Sequence, residues 1–298
     1  MNRTKIRLLA YTIYSRHRFT NFINLTKKKG KLISPINNFI FAFDKTNYED
    51  IKKLFEFSLV YNVNFSNTNG DWHYMNGIIE TPYGIKFNVK GFYPLIFAET
   101  FIYDIHFSDF NLQNRVVIQA GGFIGDTALY YAYRGAMVYS FEPELNSYNL
   151  ALKNIELNPE LSRTIVMKNY AIGKDEEINF PIDPYISGSS SSYDSNKKTI
   201  KVQSKSINTI LNEYNITNPY LLDLDIKGKE FEIINDESLK EFNMVRIEYS
   251  TKIGKKTIGD RDEIVNKLRN YGFSKFRIYK HNEGMYSLLD SGTIEAKK

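Results

Sequence analysis

One stretch constrains the fold of this chain more than any other: residues 116–144, VVIQAGGFIGDTALYYAYRGAMVYSFEPE. It begins with an apolar, β-branched run over 116–120, which is followed by a bend rich in glycine. Helical periodicity over 125–134 comes next, and a second short apolar run over 136–141 ends on Glu142. The alternation of strand, helix and strand predicts a right-handed βαβ unit, which places both strands in a parallel sheet.

The same alternation continues toward the C-terminus. We predict helices over 144–157, 229–235 and 260–271, and strands over 164–173, 220–226 and 244–250. Residues 275–290 predict a hairpin that turns at Asn282, Glu283 and Gly284. These elements favour an α/β fold with a mostly parallel sheet and an antiparallel hairpin at its edge.

The first 107 residues carry no motif that is associated with chemistry. We predict a helix over 47–61, a hairpin around the turn from Thr81 to Gly84, and a helix from 94 toward 107. This pattern divides the chain into an α+β region over 1–107, which includes a basic arm, and a second domain over 108–298. A segment rich in serine and glycine at 185–196 indicates either a flexible surface loop or a mobile lid beside the active face.

The net charge of +5 is unevenly distributed. Residues 1–31 contain nine Lys and Arg residues and no acid, which leaves 30 basic residues against 34 acidic ones in the rest of the chain. Such a basic arm suits phosphates on nucleic acid, on lipid headgroups or on nucleotide-linked sugars. The alternative is a solvated surface helix without a partner.

Cysteine is absent, which excludes disulfides, thiolate zinc sites and a cysteine nucleophile. No apolar run approaches the roughly 18 to 20 residues that span a bilayer. The N-terminal segment also lacks a convincing signal peptide. We interpret the chain as cytoplasmic.

The glycine bend is where we expect a ligand, because open parallel sheets bind ligands beyond the carboxyl ends of their strands. Glycines 121, 122 and 125 permit close backbone approach, and the following helix offers free N–H groups. Glu142 ends the next strand, where a carboxylate can bind both hydroxyls of a ribose. Phe123 stands where a dinucleotide motif needs its second glycine, so a nucleoside without a pyrophosphate fits better. S-adenosyl-L-methionine (SAM) is the common ligand of that kind, and the alternative is a tight turn with an incidental acid.

Five stretches in order carry a resemblance to a known family: the bend region itself, NIELN at 154–158, YAIG at 170–173, YLLDLDIKGKEFEII at 220–234 and VRIEYS at 245–250. Over about 116–250 the chain resembles the FkbM-type SAM-dependent methyltransferase family. The resemblance implies a Rossmann-like class I methyltransferase fold of seven strands with the last one antiparallel. It also implies O-methylation, most often of sugar or polyketide hydroxyls.

The resemblance assigns roles by position. The expected cofactor site comprises Gln119, Gly121, Gly122, Phe123, Gly125, Asp126, Glu142, Pro143, Asn169, Tyr170 and Ala171. Within it Glu142 matches the acid that binds the ribose, and 169–171 match the adenine site. The family usually has aspartate where Gln119 stands and glutamate where Lys227 stands.

Three residues are candidates for catalysis. A hydroxyl acceptor loses its proton as it is methylated, so a base within hydrogen-bond reach assists the transfer. Asp225, which matches the aspartate of the family's Asp-x-Glu-Gly motif, is the first candidate. Glu248, which closes the fifth strand, and His106, just before the first strand, follow it.

Other functions remain open at this stage. Asp223, Asp225 and Glu248 could instead hold a divalent metal ion that acidifies the hydroxyl, although we do not expect one. A nucleic-acid methyltransferase would use the basic arm on phosphates, but no Asn-Pro-Pro-Tyr-like motif is present. A family member that binds SAM without turnover is the third alternative. Phe123 disfavours a nicotinamide dehydrogenase.

Overall fold

The structure, a computed structural model, describes residues 16–104, 110–183, 198–226, 228–253, 256–280 and 291–298, with the backbone alone at 253 and 256. The chain divides into two compact units, residues 1–109 and residues 110–298. Among the described residues, no helix combines the length and the hydropathy needed to cross a membrane.

The N-terminal unit combines helices with two small antiparallel sheets. Its elements in chain order are α1 (Arg18–Lys27), β1 (Gly30–Ile33), β2 (Ile40–Phe43), α2 (Tyr48–Val60), β3 (His73–Met75), β4 (Ile78–Glu80), β5 (Lys86–Asn88), a 3-10 turn (Val89–Gly91) and α3 (Pro94–Phe101). One sheet pairs β1 with β2, and the other has the order β3-β4-β5. The predicted hairpin around Thr81 to Gly84 is confirmed as β4 and β5. The last predicted helix ends earlier, at Phe101.

Aromatic side chains form the core of this unit. Phe41, Phe57, Phe87 and Phe97 are fully buried and meet other rings edge to face. Trp72 packs against Phe57 at a centroid distance of 4.9 Å. Large rings bury much apolar area per residue, which explains how short strands and helices hold together here.

The C-terminal unit is built on a seven-stranded sheet. The elements in chain order are β6 (Val116–Ala120), α4 (Asp126–Tyr133), β7 (Met137–Phe141), α5 (Leu145–Glu156), α6 (Pro159–Ser162), β8 (Ile165–Lys168), β9 (Ala171–Ile172), β10 (Glu176–Pro181), β11 (Thr199–Lys205), α7 (Ile207–Glu213), β12 (Leu221–Leu224), α8 (Glu230–Ile233), a 3-10 turn (Glu237–Glu241), β13 (Met244–Ser250), β14 (Lys252–Ile253), β15 (Lys256–Thr257), α9 (Arg261–Asn270), β16 (Lys275–Lys280) and β17 (Ser291–Lys297). The strands of the large sheet have the order β16-β17-β13-β12-β6-β7-β8.

This strand order confirms the predicted Rossmann-like class I methyltransferase fold. The last strand, β17, runs antiparallel to both of its neighbours. It pairs with β16, which is outermost, so the predicted antiparallel hairpin forms this edge of the sheet; its second strand begins at Ser291, just beyond the predicted range. The predicted turn at 282–284 lies outside the described residues.

A second, three-stranded sheet was not predicted. The stretch 164–173 is two strands rather than one, since β8 joins the large sheet and β9 pairs with β11. β10 and β11 pair antiparallel over Glu176–Pro181 and Thr199–Lys205. The segment at 185–196, for which a loop or a lid is predicted, lies between these two strands and outside the described residues.

The two faces of the large sheet differ in chemistry. One face is apolar: Ile118, Leu222 and Ile247 are buried in a cluster that includes residues of α7, α8 and α9. The opposite face carries a row of polar side chains in register across six strands, which we call the paired row: Ser140, Gln119, Asp223, Arg246, Glu295 and Arg277. Because in-register residues point to the same side of a sheet, their side chains lie next to one another.

Each charge in the paired row has an opposite charge beside it. Arg246 donates to Asp223, and Tyr131 of α4 donates to the other oxygen of the same carboxylate at 2.8 Å. Arg277 binds Glu295 through two hydrogen bonds of 2.6 and 2.9 Å. A buried charge that is paired and hydrogen-bonded costs far less than an isolated one. Within the row each charge is therefore compensated by its neighbour.

Candidate functional site

The bend after β6 is fixed by backbone contacts to the neighbouring strands. The N–H groups of Gly121 and Gly122 both donate to the carbonyl of Phe141, at 2.9 and 3.0 Å. Gly121, Phe123 and Gly125 have positive φ angles of 85°, 43° and 79°. A Cβ atom on Gly121 would lie 2.0 Å from the backbone oxygen of Asp225. Position 121 therefore requires glycine on both conformational and steric grounds.

Glu142 is held against this bend by its own carboxylate. One oxygen accepts a hydrogen bond from the Phe123 N–H at 2.8 Å, and the other accepts from the Glu144 N–H at 2.7 Å. The residue is 7% exposed. Each carboxylate oxygen has a further lone pair, so the group can still accept from two hydroxyls.

The chain after Glu142 is fastened by Asn169. Its side-chain amide donates to the carbonyls of Glu142 and Pro143, at 2.8 and 3.0 Å. The next residue, Tyr170, stacks on Phe141 with an interplanar angle of 14°. The predicted adenine-side residues thus lie beside the predicted ribose-side residue, with Ala171 buried in β9.

Asp225 is the first residue beyond the end of β12. Its N–H donates to the carbonyl of Ala120 at 3.0 Å, which brings it beside the glycine bend. It is exposed, whereas Asp223, two residues earlier, is fully buried. Glu248 is partly buried on β13 and stands two residues after Arg246 of the paired row.

Sequence analysis missed Glu230, at the start of α8. It is 1% exposed, and both carboxylate oxygens accept from the Gly228 N–H, at 3.1 and 2.9 Å. The available signal was an acid at the start of a helix, two residues after Gly228, since carboxylates stabilise the free N–H groups at a helix N-terminus.

We call Asp126, Glu142, Asp225, Glu230 and Glu248 the edge carboxylates, since they cluster at the carboxyl edge of the sheet. Burial raises the pKa of Asp126 to about 7 and that of Glu142 to about 8, and the charge of Asp225 adds to both shifts. Burial also raises the pKa of Glu230 to about 8, with added contributions from Asp225 and Glu248. Like charges that raise one another's pKa would be relieved by a cation placed among them.

Gln119 and Asp223 belong to the interior rather than to this edge. The side-chain carbonyl of Gln119 accepts from the Ser140 hydroxyl at 2.8 Å. Asp223 is occupied by Tyr131 and Arg246, which removes it from the metal-ligand set that the sequence allowed. Within the described ranges, no group of three or more His, Asp or Glu residues has a metal-binding arrangement. His106 and Lys227 lie outside the described residues.

The model of the methyltransferase FkbM domain matches residues 119–275, which is more than half of the chain. The match includes the bend, Glu142, Asp225, Glu230 and Glu248. No curated protein matches the sequence.

Three solved structures are among those to which the chain is similar. Precorrin-6y C5,15-methyltransferase from Geobacter metallireducens GS-15 has a TM-score of 0.37 and 10% identity, over 66% of this chain and 88% of its own. Magnesium protoporphyrin IX methyltransferase (ChlM) from Synechocystis PCC 6803 has a TM-score of 0.40 and 14% identity, over 63% and 72%. The METTL16 MTase domain has a TM-score of 0.41 and 12% identity, over 95% of both chains.

Proposed function

The chain belongs to the FkbM methyltransferase family, and on that premise we propose that it is a SAM-dependent O-methyltransferase that acts on a hydroxyl of a sugar, a glycan or a small natural product. The observation that carries the proposal is the carboxylate of Glu142. It is anchored on the glycine bend by two backbone N–H groups and lies at the sheet edge that also carries the exposed Asp225.

The residues at this edge fit SAM. The ligand offers a vicinal diol, an adenine ring and two cationic centres, the sulfonium and the amino group. Glu142 supplies two acceptor oxygens for the diol, and Asn169, Tyr170 and Ala171 supply the expected adenine side. The charge of the exposed Asp225, which also acts on Asp126, Glu142 and Glu230, suits a cation.

The same assignment gives each cofactor residue a task. Gly121, Gly122, Phe123 and Gly125 form the bend on which the ligand would lie, and the positive φ angles of Gly121, Phe123 and Gly125 set the course of its backbone. Asp126 would stand on the amino-acid side, and Pro143 would continue the ribose side. Gln119, which is buried and bound to Ser140 in the sheet interior, is left out of the proposed site. When bound, SAM supplies an electrophilic methyl group on a sulfonium sulfur.

Asp225 is the proposed catalytic base. It is exposed at the end of a central strand, so an acceptor hydroxyl can reach it, and it would take the proton that the hydroxyl loses as its oxygen bonds to the methyl carbon. Glu248 would orient the acceptor. His106 keeps its proposed role as a second base, and a divalent metal remains an alternative that chelation can test.

The N-terminal unit has a cleft of its own, which we propose as a binding site for a sugar. It has a volume of about 740 Å³, within the range that ligand pockets occupy. Its lining includes Asp50, Tyr74 and Asn76 together with the apolar Ile40 and Ile78. Burial raises the pKa of Asp50 and of Tyr74, which shows that both polar groups are partly withdrawn from water. Carboxylate, phenol and amide groups over an apolar floor match the mixed polar and apolar faces of a sugar.

The proposal is tested by two measurements. Calorimetric titration with S-adenosyl-L-homocysteine (SAH) should show binding by the wild type, and labelled SAM should transfer its methyl group to members of a panel of methyl glycosides and nucleotide-linked sugars. Transfer to RNA or DNA but to no sugar would favour the nucleic-acid methyltransferase. SAH binding without transfer to any acceptor would favour a non-catalytic family member.

The sugar cleft has its own test within the N-terminal unit. Asp50→Asn should weaken the binding of a methyl glycoside about three- to tenfold, the usual cost of one hydrogen bond, and leave SAH affinity unchanged. The control is Glu49→Gln, which changes a neighbouring carboxylate that is 69% exposed and bound to Lys52. Equal glycoside affinities for both variants would remove the cleft as a sugar site.

A further inference from the structure

Helix α1 presents its large apolar side chains to solvent. Phe19 is 70% exposed, Phe22 53% and Ile23 45%. Residues three and four apart lie on the same face of a helix, so these three side chains form one apolar stripe. A helix on the surface of a globular protein normally turns such a stripe toward the core.

The face of α1 that contacts the protein is polar. Asn21 is the buried residue of this helix, and its side-chain amide makes hydrogen bonds with both the N–H and the carbonyl of Ile33, at 2.9 and 3.0 Å. Asn24 donates to the carbonyl of Lys31 at 2.8 Å. Two amide side chains therefore hold α1 against β1 and fix the apolar stripe on the outside.

Basic residues surround the stripe. Residues 16–31 include Arg16, Arg18, Lys27, Lys28, Lys29 and Lys31, and the sequence has no acidic residue before Asp44. Within the described part of the chain, no carboxylate forms an ion pair with Lys27, Lys29 or Lys31. The surface around α1 thus complements an anionic partner.

We propose that α1 docks the protein onto an anionic lipid surface. Phe19, Phe22 and Ile23 insert at the level of the headgroups, and the surrounding lysines and arginines bind lipid phosphates. This combination of an apolar face with basic flanks is how interfacial helices bind membranes. The inference does not depend on the proposed methyl transfer.

Two other partners fit the surface less well. Nucleic acid would use the basic residues and could stack bases on the two phenylalanines, but Ile23 has no ring for a base to stack on. A second copy of the chain would bring two basic surfaces of the same sign together, which is unfavourable. Only a lipid surface uses both the charge and the whole apolar stripe.

The full chain should be tested by co-sedimentation with vesicles of phosphatidylcholine alone and with added phosphatidylserine. The wild type should bind the anionic vesicles, and added salt should weaken binding. Phe22→Ser should reduce the partition coefficient at least tenfold, since one buried large apolar side chain is lost. Met75→Ser is the matched control, because Met75 is also apolar and 72% exposed but lies on β3. It should bind like the wild type.

A second variant set separates the charge from the stripe. Replacing Lys27, Lys28 and Lys29 by glutamine should reduce binding to anionic vesicles roughly 100-fold, at about fivefold for each lysine. Phe19→Trp should show a blue-shifted emission with vesicles, against a background from Trp72, which is buried. Thermal melts like that of the wild type would show that each variant is folded.

Three outcomes would overturn the proposal. One is a wild-type chain that does not bind anionic vesicles at low salt. Another is equal binding by Phe22→Ser and Met75→Ser. The third is an emission of Phe19→Trp that shifts to the blue with RNA, or on self-association, and not with vesicles.

Discussion

The large sheet carries buried charge in two places that behave in opposite ways. In the paired row, Asp223 lies between Arg246 and Tyr131, and Glu295 binds Arg277. Burial alone would lower the pKa of Arg246, yet the Asp223 carboxylate beside it raises that pKa well above its usual value. Charge in the interior is thus neutralised locally by an opposite charge.

The edge carboxylates show the reverse pattern. Asp126, Glu142 and Glu230 are buried among other acids, and burial together with neighbouring negative charge raises the pKa of each. Buried like charges are seldom kept for stability, and perturbed carboxylates in one cluster indicate function. Comparing the two places separates Asp223, which is held in an interior ion pair, from Asp225, the proposed base, although only one residue stands between them.

The largest effect is expected at Asp225. Asp225→Asn keeps the shape and removes the base, so turnover should fall roughly 10²–10⁴-fold while SAH affinity stays nearly constant. Glu248→Gln should lose less activity if Glu248 only orients the acceptor. Single-turnover transfer from labelled SAM measures both. If chelation abolishes the activity of the wild type and added Mg²⁺ restores activity to neither variant, the metal alternative replaces the catalytic base. Turnover of Asp225→Asn at the wild-type rate would exclude Asp225 as the base.

The paired row predicts a loss of stability instead. Arg246→Met leaves Asp223 as a buried charge without its cation, which should lower the free energy of unfolding by about 3–5 kcal/mol. Removing both charges in Arg246→Met/Asp223→Leu should recover much of that loss, because the isolated buried charge is gone. Urea unfolding measures the two variants. Equal destabilisation of the single and double variants would contradict the pairing argument.

A smaller effect is expected for cofactor binding. Glu142→Ala should weaken SAH binding by about 1.5–3 kcal/mol, the cost of losing charge-assisted hydrogen bonds. The control is Glu160→Ala, whose carboxylate is 80% exposed in a surface ion pair with Arg163. Calorimetry measures the SAH affinity of variants whose melting curves match that of the wild type. Unchanged affinity in Glu142→Ala would remove Glu142 from the ribose site.

Local patterns in the sequence predicted much of the fold. The predicted strand over 116–120 coincides with β6, and the helix predicted over 144–157 is α5 within one residue at each end, because apolar periodicity is a local signal. The paired row was not predicted. Its members lie far apart in sequence, and strand register alone brings them together.

The site was less accessible to sequence reasoning than the fold. Asp223 lies within β12, whereas Asp225 lies directly beyond its end. The exact end of a strand is the least certain feature of any sequence-based assignment. The sequence also did not predict that the apolar stripe of α1 faces solvent. Amphipathic spacing identifies a face, but the hydrogen bonds of Asn21 to Ile33 decide which face points inward.

The smallest expected effect is the pH dependence of the free energy of unfolding, which distinguishes the edge carboxylates from the paired row. Burial raises the pKa of Glu142 and of Glu230 from 4.5 to about 8, so the folded protein keeps protons that the unfolded chain has released. Between these two values the folded state binds more protons, and the free energy of unfolding should therefore fall as pH rises from about 5 to 8. Glu142→Gln and Glu230→Gln should each flatten this slope. SAH affinity should rise over the same window, because the ionised Glu142 is the better acceptor for the ribose hydroxyls. Urea unfolding at a series of pH values measures the slope, and a free energy of unfolding that rises toward pH 8 would contradict the assignment of buried, protonated acids to this edge.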